Sequence, residues 1–367
     1  MPHTKEDGET GGLSACGSTG GPSASDMIAG MALVVVCSAC LLPFVVPGNR
    51  GINDFSVVFS SIALEAMPFM LLGALIGGAI EVFVSRERMT ALLPGSDWAS
   101  ACVAAALGVL FPVCECAIVP VVRRLGGKGL PAAAAIAYLL AGPIVNPVAG
   151  LSTAMAYNFD WRPVAVRLGF GYLIAVGVAL ILARVFGRGS LFGPGVEHGK
   201  HSDHAHHEHD GHSRCRTCGC GHDHETGGGG AGRIAAVCNH ALDDFMATAP
   251  YLVAGAAIAA IAQTCLERRL FLDMASSPML SSAAMALLAI LLNLCSEADA
   301  FIAASFRGLI PFSAQMVFLV VGPMFDIKLL LMYRGLFRTR VVPLLAILVV
   351  AAAMLMSVML DIAGAIE

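Results

Sequence analysis

Charge is what this chain has least of. Asp, Glu, Lys and Arg supply 13% of its 367 residues, against 57% hydrophobic ones, and the mean hydropathy is +0.77. An ordinary soluble domain carries about a quarter charged residues, so that class is excluded. A Gly-rich phosphate loop is missing, so the chain is not by itself an ATP-driven pump. No dinucleotide fingerprint and no nucleophile–base arrangement stands out, so no enzyme is expected. Nothing suggests nucleic-acid binding. The 12 cysteines do not form a secreted disulfide framework, because most lie in apolar segments or in one His-rich tract. The net charge of −4 decides little, since in membrane chains the placement of charge matters more than its sum.

What is present is apolar length. Several runs reach the roughly 20 residues that cross a bilayer, so the expected fold class is an all-α polytopic membrane protein. Residues 1–26 are Gly/Ser-rich and read as a disordered tail. Leu13 to Cys16 resembles a lipoprotein cleavage site, but no apolar segment precedes it. A first transmembrane half covers 27–186, with spans expected at Met27–Val46, Phe55–Val84, Trp98–Val122, Leu130–Tyr157 and Pro163–Phe186. Residues 187–233 form a hydrophilic insertion. A second transmembrane half, 234–367, holds apolar segments at Ile234–Leu266, Met279–Phe306, Ile310–Met332 and Val341–Ile362, with a turn at Pro47–Asp54 and a basic loop at Arg334–Arg340.

Phe111-Pro-Val-Cys-Glu-Cys-Ala-Ile-Val-Pro120 puts a carboxylate between two thiols and a proline near each end. Both prolines lack an amide donor, so a clean helix is not expected through the stretch. Charge and broken backbone at membrane depth are tolerated where they are packed in protein or line a cavity. The stretch has a counterpart. Pro68 with Gly73 matches Pro250 with Gly255, Cys114-Glu115 matches Cys295-Ser-Glu297, and Gly142-Pro143 with Asn146 matches Gly322-Pro323 with Asp326. The three offsets are 182, 181 and 180 residues. Two repeats with interruptions at matched points suggest a transporter whose site lies at the repeat interface.

The residues expected along the transport path are Cys114, Glu115, Cys116, Asn146, Cys295, Glu297, Asp299 and Asp326. Thiolates favour copper(I), zinc and thiophilic metalloids, and membrane carboxylates suit ion pathways or proton relays. Each has a plainer reading. Asp326 can pair with Lys328, Glu297 and Asp299 can make polar contacts between helices, and Asn146 can cap a broken helix. Cys37, Cys40, Cys102 and Cys265 read as small buried hydrophobes.

The insertion gathers nine of the chain's 11 histidines. Its candidate metal ligands are His198, His201, His204, His206, His207, His209, His212, Cys215, Cys218, Cys220, His222 and His224. Such Cys/His tracts bind zinc or copper, and the alternative is a solvated linker. No obligatory cofactor is expected, and zinc or copper at this loop is the expected metal.

Phe111 to Leu125, Lys128-Gly-Leu-Pro131, Ala141-Gly-Pro-Ile-Val-Asn-Pro147 and Cys295-Ser-Glu-Ala-Asp-Ala-Phe301 resemble the bacterial predicted-permease family of YraQ and YcgR, which is related to the organoarsenical efflux permease ArsP. The resemblance implies a multi-pass permease of the cytoplasmic (inner) membrane. For some members it implies a small companion membrane protein. The arsenical branch has Ser where this chain has Glu115, and relatives predicted to export copper or zinc have Cys-Ser-Cys, so the chain falls between the branches. The expected partners are the bilayer, a companion membrane protein and a metal or metalloid substrate, with no nucleic acid. The expected function is efflux of zinc, copper or a metalloid. The alternatives are a non-transporting or co-transporting subunit of a two-component permease complex, and an organoarsenical exporter.

Between about seven and nine spans fit the apolar runs. If all segments cross, Lys and Arg divide 10 against 11 and fix no orientation. If the two motif-bearing segments dip in and return, the division becomes 15 against 6, the repeats are inverted, and the N-terminus is cytoplasmic. Cysteines of the 187–233 loop should then resist impermeant thiol reagents in intact cells; labelling from outside overturns this topology.

Overall fold

The computed structural model describes residues 50–83, 94, 96–110, 113–187, 191–193, 230–265 and 277–364. The tail, the expected first span at 27–46 and the His/Cys-rich ligand set lie outside the described residues. The described residues are helical apart from turns, short breaks and one isolated bridge between Phe192 and Phe337. In chain order the helices are α1 (Arg50–Phe83), α2 (Asp97–Leu110), α3 (Glu115–Gly127), α4 (Ala132–Ala141), α5 (Pro147–Ala156), α6 (Trp161–Phe186), α7 (Gly230–Cys265), α8 (Pro278–Leu292), α9 (Ala298–Ser305), α10 (Phe312–Met324), α11 (Ile327–Leu336) and α12 (Val341–Gly364). Among the described residues five segments are long and apolar enough to cross a membrane: 51–83, 161–186, 233–264, 312–336 and 341–364.

Each half reads as a long helix, a helical hairpin, a broken span and a second long helix. The long helices α1 and α7 pack along each other and run in opposite directions. Gly78 of α1 lies against Val237 near the start of α7, whereas Phe59 clusters with Val253, Ala256, Ala259 and Ala260 further along it. α3 runs parallel to α1, with Ala117 beside Gly73 and Arg124 beside Gly77. Both end where Lys128 Nζ donates to the carbonyls of Ile80 and Glu81 at 3.1 and 2.7 Å. This is the basic end of the bundle, with Arg123, Arg124, Lys128, Arg184 and Arg334.

The motif-bearing segments do not cross. α2 is 14 residues, about 21 Å long, against a hydrocarbon core of about 30 Å. Its last turn, at Gly108, meets the break between α4 and α5 at Gly142 and Val145. It lies alongside α4, which enters from the basic end, and α3 then returns to that end. α2 and α3 are therefore the two arms of a re-entrant hairpin. α8 and α9 form a second hairpin from the opposite end: Ser282 Oγ is 2.6 Å from Ser357 Oγ, late in α12, and Arg307 covers the Tyr157 ring at 5.0 Å.

Three sequence expectations need adjustment. Pro120 sits inside α3 rather than ending a helix; the chain breaks before Glu115 instead, and Pro120 only frees the Cys116 carbonyl from the helical ladder. The turn expected over Pro47–Asp54 is already helical from Arg50. The basic loop expected at Arg334–Arg340 is helical up to Leu336, because Leu329, Met332, Tyr333 and Leu336 continue one buried face.

Two glycines set the depth of the crossing. A Cβ on Gly73 would lie 2.6 Å from the Cα of Ala117 in α3, and one on Gly255 would lie 2.7 Å from the Cα of Lys328 in α11. Both obstacles are backbone, which cannot swing aside. A Cβ on Gly77 meets nothing nearer than 3.4 Å, a side-chain carbon of Arg124. Gly73→Ala and Gly255→Ala should each sharply reduce monodisperse protein on size exclusion in detergent, and Gly77→Ala should not. Equal yields from all three would show that this packing does not limit the fold.

Candidate functional site

Four helices begin at the middle of the bundle: α3 and α9 at the hairpin tips, α5 and α11 at the breaks of the two interrupted spans. A helix start leaves its first amide donors unpaired and carries a partial positive charge. At membrane depth both need an answer. α5 and α11 use side-chain caps. Asn146 Oδ1 accepts from the Ala149 amide at 2.7 Å, and Asp326 Oδ1 accepts from the Leu329 amide at 2.6 Å. α3 and α9 start at Cys114 and Glu297 without a side-chain cap, and carry Glu115 and Asp299 in their first turns.

The tips are tied across the halves. Lys328 Nζ lies 3.1 Å from Glu115 Oε1 and 3.6 Å from Asp326 Oδ2. The Lys328 amide donates to Asn293 Oδ1 at 3.3 Å, where Asn293 closes α8 in a left-handed conformation, φ 53°. Arg167, on α6 and fully buried, donates to the Ser296 carbonyl and to Thr153 Oγ1, both at 2.7 Å. Asp299 and Glu297 lie within its electrostatic reach. Glu115, Asp299 and Asp326 are all at most 1% exposed.

The expected path residues fall into three groups. Glu115, Asp299 and Asp326 share the buried centre. Cys114, Cys295 and Glu297 lie on the tips and are partly exposed, with Cys116 buried behind them. Cys114 is within electrostatic reach of Glu297, and Cys295 of Glu115, so the two tips do meet. Asn146 is turned inward: its amide donates to the Gly142 and Pro143 carbonyls, each at 3.0 Å, while its oxygen caps α5. Of the two readings for Asn146, the geometry matches the cap. Among the described residues no group of three or more His, Cys, Asp or Glu side chains is arranged to hold a metal ion.

Sequence reasoning missed Arg167 and Glu65. Arg167 was legible as a charge inside an apolar span. Glu65, fifteen residues into α1, lies within electrostatic reach of Cys295 and stands exposed in mid-helix, so its charge was the available signal too. Buried polar atoms without a hydrogen-bond partner concentrate at this crossing: of seven among the described residues, six belong to Glu115, Arg167, Asn293, Ser296, Asp299 and Asp326. Native interiors leave few such atoms, and among the described residues they gather at this one place.

A family model described as a predicted permease matches residues 51–362. The chain belongs to this predicted-permease family. It is 36% identical to the UPF0718 protein YcgR of Bacillus subtilis over 288 residues, 78% of this chain and 90% of the relative. It is 32% identical over 284 residues to a protein of Streptococcus mutans named as a putative two-component membrane permease complex subunit, covering 77% of this chain and 87% of that one. No solved structure matches. The family is one of predicted permeases, and in this chain the buried charged side chains meet where the hairpin tips cross.

Asn146→Ala should cost about 1 kcal/mol through the lost cap, lowering the thermal midpoint in detergent, with Asn146→Ser recovering part of it. An unchanged midpoint for Asn146→Ala would remove the capping role.

Proposed function

We propose that this permease is a secondary exporter of a thiophilic cation, zinc or copper(I), with a metalloid as the next candidate, and that its cargo passes the point where the two hairpin tips cross. The observation that carries the reading is the crossing itself. Two broken hairpins enter from opposite ends and bring Cys114, Cys116 and Cys295 to the same depth as three buried carboxylates. Soft thiols select soft metals, and sites between discontinuous helices at mid-depth are how secondary transporters bind their cargo. The absence of a ready three-ligand cage among the described residues suits a passage that closes on its cargo during transport better than a resident metal centre.

The two halves then work as inverted repeats, which the antiparallel packing of α1 and α7 supports. The basic end is read as cytoplasmic in the inner membrane, since Lys and Arg favour that side. The 187–233 loop joins α6 to α7 at this end, where its histidines and cysteines would gather metal before export. A second reading comes from the Streptococcus relative's name: this chain is one subunit of a permease complex and needs a small companion membrane protein to transport.

Cys114→Ser with Cys116→Ser should abolish tolerance to zinc or copper in a deletion strain, with normal membrane insertion, and should abolish flux of the same metal into liposomes. Sensitivity to organoarsenicals in place of metals would transfer the cargo to the metalloid class. Undiminished tolerance and flux would remove the thiols from the path. Flux that appears only with a companion protein would establish the complex.

A further inference from the structure

We propose that Lys328 and Arg167 are latches, one for each re-entrant tip, and that each is supplied by the half that does not own the tip it holds. Lys328 belongs to the second half and holds Glu115, the first residue of α3 in the first hairpin, 213 positions away. Arg167 belongs to the first half and holds the Ser296 carbonyl in the second hairpin, 129 positions away. Both cations are anchored in a broken span or its neighbour. Lys328 lies one residue into α11, where its backbone is pinned by Asn293 and backed by Gly255. Arg167 rises from the full span α6 and donates its second bond to Thr153 Oγ1 in α5. Neither α3 nor α9 has a side-chain cap at its start.

The latches are not placed symmetrically in sequence. With the offset near 180 residues, Lys328 corresponds to Val148 and Arg167 to Ile347, both apolar. The two halves therefore reach the same mechanical result with different residues: a buried ammonium gripping a carboxylate, and a buried guanidinium gripping a carbonyl. Each tip can be released without the other, which a single shared ion pair would not allow.

Beside each latch is a buried carboxylate with an unused oxygen. Glu115 Oε2 and Asp299 Oδ2 have no hydrogen-bond partner. Charge from cargo arriving at Glu115 would compete with Lys328 for that carboxylate and loosen the first tip; at the second, cargo charge at Asp299 would repel the Arg167 guanidinium from the Ser296 carbonyl. This last step rests on the cation reading above, whereas the latches do not.

The native cysteines report the two tips separately, because Cys114 and Cys295 are both partly exposed at them. The permease is placed in sealed vesicles of each orientation without cargo, exposed to an impermeant maleimide, and labelling is read at each cysteine by mass spectrometry. Lys328→Met should raise labelling of Cys114 from the basic end roughly tenfold, equivalent to about 1.4 kcal/mol, and leave Cys295 unchanged. Arg167→Met should do the reverse from the opposite end. Thr153→Val, which leaves the Arg167 charge in place, should raise Cys295 alone by a smaller factor. If Lys328→Met fails to insert, Glu115→Gln with Lys328→Met removes the buried charge of both partners and should give the same response at Cys114. Both cysteines rising together in every variant, or neither moving, would overturn the latches. Metal flux plays no part in this measurement, so a failed cargo assignment leaves its outcome unaffected.

Discussion

The structure is organised by a constraint on backbone amides. Four helices start at one depth in an apolar bundle, and each start exposes donors and partial positive charge where water is scarce. Nothing in a hydrocarbon environment can meet that demand, so the chain supplies the acceptors itself. Asn146 and Asp326 do so by direct capping, and Glu115 and Asp299 do so by charge in the first turn. The carboxylates in turn need cations, which are Lys328 and Arg167. The acidic residues, the basic residues and the helix breaks at the centre are one solution to one problem.

That solution depends on close packing around it. Gly73 lets α3 approach α1 backbone to backbone, and Gly255 lets α11 approach α7 in the same way. The two long helices are thus backboards for moving or movable parts, and they lean on each other in opposite directions. At the basic end Arg124 Nε meets Asp244 Oδ2 at 2.5 Å, tying the exit of the first hairpin to the start of the second half. The re-entrant pieces are therefore held firmly where they leave the bundle and by single cations where they meet.

Much of the architecture could be read from residues. Gly142-Pro143 and Gly322-Pro323 announced the broken spans, and the steady offset of about 180 residues paired them. A dip-and-return of the two motif-bearing segments was one of two topologies the sequence allowed, and it is the one that divides Lys and Arg unequally. The limits were equally physical. Periodicity describes a helix's own faces and says nothing about a partner 129 or 213 positions distant, so Arg167 went unnamed. Pro120 looked like a helix breaker, yet a proline six residues into a short helix costs one hydrogen bond near a start already short of them. Asn146 has the chemistry for cargo as much as for a cap, and only the positions of the Ala149 amide and the Gly142 and Pro143 carbonyls decide between them.

The balance of charge at the crossing bears on how any cation passes. Glu115, Asp299 and Asp326 face two buried cations and the positive ends of four helices, each equivalent to about half a charge. Three carboxylates against two cations and about two charges' worth of helix starts leave the centre with no excess of negative charge before cargo arrives. A cation entering such a buried centre pays its full desolvation unless something positive moves aside. Lys328 and Arg167 are covalently part of the chain and cannot leave; they can only move, and with them the contacts that hold the tips. On the reading proposed, cargo binding and release of a tip are then the same event seen from two sides. At the first tip the carboxylate that accepts the cargo is the one the latch must give up. A permease built this way needs no separate signal from site to gate, because the residue that recognises charge is also the residue that keeps the tip closed.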